Sequence, residues 1–394
     1  MTSALPGRPP TQRRSRFGCR NCKLRKVKCD QGKPRCKRCI CYGVLCNSLS
    51  SVPDLQPIAA DTGGPLVIHP PVASAVWTSD ASTSYQYQLN AKCQDFITRH
   101  LGRSLTTPHD PNMVHVNSEL LRLAFAYPCL MHASLAVAFS YDRHLNSPLG
   151  CHRSLEECYH WSQSTTLFNK QLQKPIKQAK EKDAIWGTAA ALAILTFSCP
   201  DARTPEESWP LSPFENCSFL DWLRISNGKM SLWHIINPLR PDSIFCVMAD
   251  TFAIMDSPLP DPESDIADIQ PRALAALCRL DSELSYTGGK NNPYFYAAHA
   301  VSQTLNLPDT DVTTGHIQLF TRSVHGPFEE LLREKDPVAL LLLYLWYHKA
   351  SRSIWWIELR ARVESPAICC YLQLYHRGNA AVQAFLPGGA FAGY

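Results

Sequence analysis

Between Cys19 and Cys46 the chain reads CRNCKLRKVKCDQGKPRCKRCICYGVLC, and six of its seven cysteines fall at Cys19-x2-Cys22-x6-Cys29-x6-Cys36-x2-Cys39-x6-Cys46. The same C-x2-C-x6-C unit is written twice. Two C-x2-C pairs at short range point to tetrahedral metal sites before they point to disulfides. The opening residues, MTSALPGRPPTQRRSRFG, hold no apolar run and no small-residue cleavage site. The expectation is therefore an intracellular chain whose thiols stay reduced and free to bind metal.

Counting bonds makes the metal expectation specific. A structural zinc takes four ligands, so two ions take eight bonds. The repeat offers six thiolates, and residues 1–46 contain no histidine. The deficit closes if two thiolates each bridge both ions. The pseudo-symmetry of the doubled unit assigns that role to Cys19 and Cys36, with Cys22 and Cys29 completing one ion and Cys39 and Cys46 the other. Cys41 falls outside the pattern and is read as a bystander. Energetics point the same way: ordering each residue costs roughly 1 to 2 kcal/mol of backbone entropy, and the apolar side chains in the stretch are few, chiefly Leu24, Val27, Ile40, Val44 and Leu45. Structural zinc contributes about 10 to 16 kcal/mol per site in small zinc peptides, so this module needs metal to fold.

Charge divides the chain in two. Thirteen of its 39 Lys and Arg and one of its 34 Asp and Glu lie in residues 1–46, a formal +12, which leaves 26 bases against 33 acids, or −7, in the rest. Six thiolates with two divalent ions cost that end only two charges, so it remains suited to a polyanion. Arg13, Arg14 and Arg16, with the basic module behind them, would serve as a nuclear import signal.

The cysteine spacing, the run Cys22-Lys-Leu-Arg-Lys-Val-Lys-Cys29-Asp30, and Pro34 two residues before Cys36 resemble the fungal Zn2Cys6 (binuclear zinc cluster) transcription factors. The resemblance implies two zinc ions and two short helices, the first entering the major groove of double-stranded DNA to read a CGG-type triplet, and it implies the same two bridging cysteines as the count above. By position, Lys26 matches the base-contacting lysine of that family, with Arg25 beside it. Lys and Arg suit the O6 and N7 acceptors of guanine. Arg20, Lys23, Lys28, Lys37 and Arg38 are assigned to phosphates, which position a module without specifying sequence. A nuclear, sequence-specific regulator of RNA polymerase II genes follows from the resemblance.

The remaining sequence is read as three further parts. Residues 1–16 form a disordered basic arm, residues 17–47 the zinc module, residues 48–84 a Ser, Pro, Asp and Gly rich linker without heptads, and residues 85–394 a large all-α domain. Helices are expected from about Ser84 to His100, from near Asn117 to Pro128, over Leu130 to Phe139, and around Leu155 to Leu172. Others are expected at Ala184 to Ser198 with Asp183 as N-cap, Phe219 to Asn227 ended by Gly228, Arg272 to Leu284, Pro293 to Leu305 and Thr313 to Arg333. Val338 to Leu359 follows, capped by Asp336 with Pro337 at its first position, and then Ser365 to Phe385. Ser212-Pro-Phe-Glu215 has the spacing of a capping box.

No HExxH, GxSxG, Walker A loop or GxGxxG is present, so an enzyme is not expected. The longest apolar runs are well short of the roughly 20 residues of a bilayer span. The order of features from Leu101 to Ser198, and Phe219-Leu-Asp-Trp-Leu-Arg-Ile-Ser-Asn-Gly228, resemble the helical regulatory domain of the sterol-uptake-regulator branch of zinc-cluster factors. That resemblance implies a homodimer through the helical body and a small hydrophobic ligand such as a sterol, with the Val338 to Leu359 helix as core or pocket lining.

Overall fold

Short polar connections break the apolar periodicity into many helices, and a computed structural model of the 394-residue chain shows how they assemble. It describes residues 17–25, 27–33, 35–41, 46–47, 75–79, 85–89, 111–146, 153–200, 202–212, 220–262, 264–280, 292–324 and 326–391. The arm of residues 1–16, Lys26, Pro34, most of the 48–84 linker, and residues 213–219, which include all but Ser212 of the expected capping box, lie outside the described residues. The chain divides into two units, residues 1–71 and 72–394.

The first unit holds two five-residue helices, α1 (Arg20–Leu24) and α2 (Lys37–Cys41). They are too short to persist alone. Their buried centre is the six repeat cysteines themselves, while Leu24 and Val27 stand exposed.

The second unit is largely helical, as its 3.6-residue periodicity requires, but it opens with a hairpin. Strand β1 (Ala75–Ser79) pairs antiparallel with β2 (Tyr85–Leu89), Ala75 opposite Leu89 and Ser79 opposite Tyr85. AVWTS and YQYQL are rich in aromatic and β-branched residues, which favour strands. β2 thus replaces the start of the helix expected from Ser84 to His100, whose remainder lies outside the described residues.

Then come α3 (Pro111–Ala124), α4 (Pro128–Asn146), α5 (Leu155–Leu172), α6 (Ala179–Phe197), α7 (Asp221–Met230), α8 (Trp233–Ile236), α9 (Ala249–Met255) and α10 (Arg272–Leu277). The chain continues through α11 (Phe295–Leu305), α12 (Thr314–Ser323), α13 (Pro327–Arg333), α14 (Pro337–Ser353), α15 (Trp355–Tyr375) and α16 (Ala380–Gln383). Among the described residues no helix is long and apolar enough to cross a membrane.

Several boundaries differ from the sequence expectation for identifiable reasons. Helix α6 begins five residues before Ala184, because Glu181 accepts from the backbone N–H groups of Lys177 at 3.1 Å and Gln178 at 3.5 Å and closes its N-terminus. Asp183 is therefore no cap; it is buried one turn inside and accepts from Arg240 Nη2 (2.6 Å), Ser243 Oγ (2.8 Å) and Ile244 N (3.2 Å). The Thr313 to Arg333 stretch is two helices, broken where Gly326 takes φ +51° ahead of Pro327. The Arg272 helix stops at Leu277, before Arg279 at φ +57°. Helix α7 runs through Gly228 to Met230. The break after α14 falls at Ile354, and α15 runs through Pro366, its far half held by buried Ala367, Ile368 and Leu372.

Helix α14 is the centre of the unit. Asp336 Oδ1 caps it, accepting from Val338 N at 3.0 Å and Ala339 N at 2.9 Å, and every residue from Ala339 to Tyr347 is buried. At about 1.5 to 3 kcal/mol for each large apolar side chain, that stretch dominates the core. Arg360 of α15 donates to the carbonyls of Phe197 (2.9 Å), Thr196 (3.1 Å) and Cys199 (2.6 Å), satisfying the orphan carbonyls at the C-terminus of α6, and pairs with Glu364. Arg143 and Glu157 make a two-pronged pair at 2.9 and 3.1 Å that joins α4 to α5.

Candidate metal centre and nucleic-acid interface

The doubled sequence unit is doubled in the structure. Cys19 immediately precedes α1 and its Sγ accepts from Cys22 N at 3.4 Å; Cys36 precedes α2 and its Sγ accepts from Cys39 N at 3.4 Å. Each x2 spacing places the second cysteine in the first turn of a helix that the first cysteine caps, so both sulfurs share a side. All six repeat cysteines are buried. The sulfurs of Cys19, Cys22, Cys36 and Cys39 lie within 4.8 Å of one another.

The individual separations test the bridging count. Tetrahedral zinc with bonds near 2.3 Å sets neighbouring sulfurs about 3.8 Å apart. Cys19 and Cys36 are 3.8 Å apart, Cys22 and Cys36 3.7 Å, and Cys19 and Cys39 3.5 Å. Each expected bridge thus approaches a terminal thiol of the opposite half, as it must if both ions share it. A disulfide needs about 2.05 Å, so these contacts are not disulfides. Burial, followed by the neighbouring thiols, pushes Cys22 up to about 12, and burial pushes Cys39 up to about 11. So many crowded thiols ionise together only around a cation. The donor set fits two zinc ions.

The loop between the halves is tied by groups that the spacing alone does not reveal. Asp30, the single acid of the basic end, accepts from Lys37 N at 3.1 Å at the start of α2, and the N–H groups it meets there hold its carboxyl below the usual range. Asn47 Oδ1 accepts from Asn21 N at 2.7 Å and returns the end of the module to α1. Cys29 accepts from Gln31 N at 3.3 Å. Neither Asp30 nor Asn47 stands at a fixed offset from the helix it supports, so local sequence carries no signal for them.

Among the cations, Arg20, Lys23, Lys28, Lys37 and Arg38 are exposed. Arg25 is half-buried, and its Nη1 donates to Arg38 O at 3.2 Å, a brace between α1 and α2. Lys26 lies outside the described residues, and so does the side chain of Cys41.

Residues 17–54 match the fungal Zn(2)-Cys(6) binuclear cluster domain. The chain carries a fungal Zn2Cys6 cluster. It is similar to the Zn(2)-C6 fungal-type transcription factor afumD of Aspergillus fumigatus, with 23% identity over 84% of this chain and 83% of the relative. A Zn(2)-C6 fungal-type transcription factor of Gibberella zeae is 47% identical over 57 residues, 14% of this chain and 11% of that protein. The aspercryptin biosynthesis cluster-specific transcription regulator atnN of Emericella nidulans is 28% identical over 29% of this chain and 25% of its own. No solved structure matches the chain. With a domain that binds two zinc ions at its N-terminal end and transcription factors as relatives, the chain is a DNA-binding regulator of transcription.

Proposed function

We propose that this regulator acts in the nucleus on RNA polymerase II genes and reads a CGG-type triplet through the major groove. The observation that carries the reading is a pair of short helices joined through six buried cysteines and surrounded by five exposed cations. In this reading Cys19, Cys22, Cys29 and Cys36 would hold one zinc and Cys19, Cys36, Cys39 and Cys46 the other. Bound zinc supplies the charge that keeps the six sulfurs as thiolates. Lys26 donates to O6 and N7 of guanine, and Arg25 joins it at the base edge while bracing α2. Arg20, Lys23, Lys28, Lys37 and Arg38 hold phosphates.

The test is a gel-shift titration of the zinc-loaded chain with CGG-containing and scrambled duplexes. A zinc-dependent preference for CGG is expected. Five phosphate contacts set a slope of about −4.5 in log affinity against log salt. Lys26→Ala costs about 1 to 3 kcal/mol of discrimination, whereas Lys37→Ala weakens every sequence alike and reduces the salt slope by about 1. Equal binding to both duplexes overturns the triplet reading, and a uniform loss in both variants overturns the division of roles.

A further inference from the structure

In the helical unit a cavity of about 120 Å³ opens between α6, α7, α9 and α12. Trp186, Phe197, Phe245, Phe252, Ile317 and Trp356 supply most of its apolar wall. Three nitrogen donors line the same cavity. Lys229 Nζ lies 5.2 Å from the ring centroid of Trp186, a residue only 1% exposed. Desolvation there pushes the ammonium down to about 8. The side chain of Gln318 is in a residue 6% exposed, and neither Gln318 Nε2 nor Trp356 Nε1 meets an acceptor among the described residues.

Among these donors the cation stands out against the other half-buried and buried cations of the unit. Arg143 is paired with Glu157, Arg240 with Asp183, Arg360 with Glu364, and Lys349 with Asp309. Lys229 makes no hydrogen bond or ion pair among the described residues. Leaving buried donors without acceptors is unfavourable, and here a desolvated cation and two orphan N–H groups border one cavity. A single anionic group would give them acceptors. The aromatic walls suit a ring or a short chain. The volume fits that scale, since a cavity of about 150 Å³ lined by apolar side chains accommodates benzene.

We propose that this cavity binds a small apolar carboxylic acid, its ring or short chain between the aromatic walls and its carboxylate accepting from Lys229 and Gln318. Such a ligand is smaller than the sterol implied by the sequence resemblance, and it is charged. The proposal goes beyond the DNA-reading role and does not depend on it.

Isothermal titration of the full zinc-loaded chain with sodium benzoate, benzyl alcohol and benzylamine tests it, with hexanoate as a chain-like second acid. Saturable binding of one benzoate per chain is expected, at least about tenfold tighter than benzyl alcohol, with benzylamine weakest. Lys229→Met should remove about tenfold or more of benzoate affinity while leaving benzyl alcohol unchanged, and Lys229→Arg should retain the preference. Gln318→Leu should weaken benzoate and not benzyl alcohol. Since Met at 229 removes a half-buried ammonium that has no carboxylate partner while keeping an apolar side chain against Trp186, the variant should melt close to the parent temperature, which keeps the comparison free of misfolding. The proposal is overturned if neither acid binds saturably, if benzyl alcohol binds as tightly as benzoate, or if Lys229→Met binds benzoate like the parent.

Discussion

Replacing Cys36 by alanine should remove both zinc ions, whereas replacing Cys46 should remove one. The difference follows from the sulfur geometry. Cys36 lies 3.8 Å from Cys19 and 3.7 Å from Cys22, and in the proposed assignment it would complete both sites. Cys46 belongs to one half only. If a structural site contributes about 10 to 16 kcal/mol through four thiolates, each bond carries roughly 2.5 to 4 kcal/mol. Cys46→Ala deletes one bond and leaves Cys19, Cys22, Cys29 and Cys36 as a complete set, so about one zinc per chain should survive purification. Cys36→Ala deletes a bond from each ion, and both affinities fall by roughly two to three decades. Zinc content by mass spectrometry, followed by competition with a chromophoric chelator, reads the difference directly. Cys41→Ala should keep two ions and serves as the control. Equal zinc retention in Cys36→Ala and Cys46→Ala would refute the bridging assignment.

Glu157→Ala leaves the Arg143 guanidinium, whose side chain is 6% exposed, without its carboxylate and with only neutral acceptors such as Ser198 O and Ser140 Oγ, and should cost about 3 kcal/mol in urea unfolding. Gly315→Ala places a Cβ 2.6 Å from Thr251 O and 3.0 Å from Ile254 Cβ, forcing α12 away from α9; a loss of about 1 to 3 kcal/mol is expected, and an unchanged melting temperature would contradict the close approach. The buried pair His132 and His160, Nδ1 to Nδ1 at 2.8 Å, sets a pH dependence. Burial holds His132 down to about 4, and burial with the neighbouring His132 holds His160 down to about 3. The unfolded chain binds protons near pH 6.5 and the folded one does not, so stability is full above that pH and falls as pH drops from 6.5 toward 4. The slope is on the order of 1 kcal/mol per pH unit for each histidine, and replacing both with apolar residues should flatten it.

The cysteine centre was legible from sequence because its chemistry is set by spacing: x2 puts two sulfurs on one side of a short helix, and writing the unit twice brings two such helices to one buried cluster. The fixed partners of that centre were not legible, since Asp30 reaches α2 and Asn47 reaches α1 across folded loops rather than at a helical offset. In the body, Asp336 and Pro337 announced α14 because cap and first position act locally. Asp183 misled because an acid before an apolar run looks the same whether it caps a helix or waits inside one for Arg240, 57 residues away. The hairpin of β1 and β2 was missed because the alternation in YQYQL is only five residues long and runs directly into the stretch expected as a helix from Ser84 to His100.

Two kinds of stabilisation coexist in this chain, and they explain why its two ends differ so much in legibility. In the module the six buried cysteines are the core, so a few covalent-strength contacts replace packing and the sequence must advertise them at rigid spacing. In the body, stability comes from many interchangeable apolar contacts around α14, and volume matters more than identity. Positions that depart from interchangeability are then informative. Arg360, Arg143 and Arg240 depart from it by satisfying carbonyls or carboxylates that the helices leave open. Lys229 departs from it with only the face of Trp186 in return, and Gln318 Nε2 meets no acceptor among the described residues. A packed body that tolerates most apolar exchanges has no structural need for an ammonium that meets an aromatic face and no carboxylate, so the need is more economically placed on a ligand.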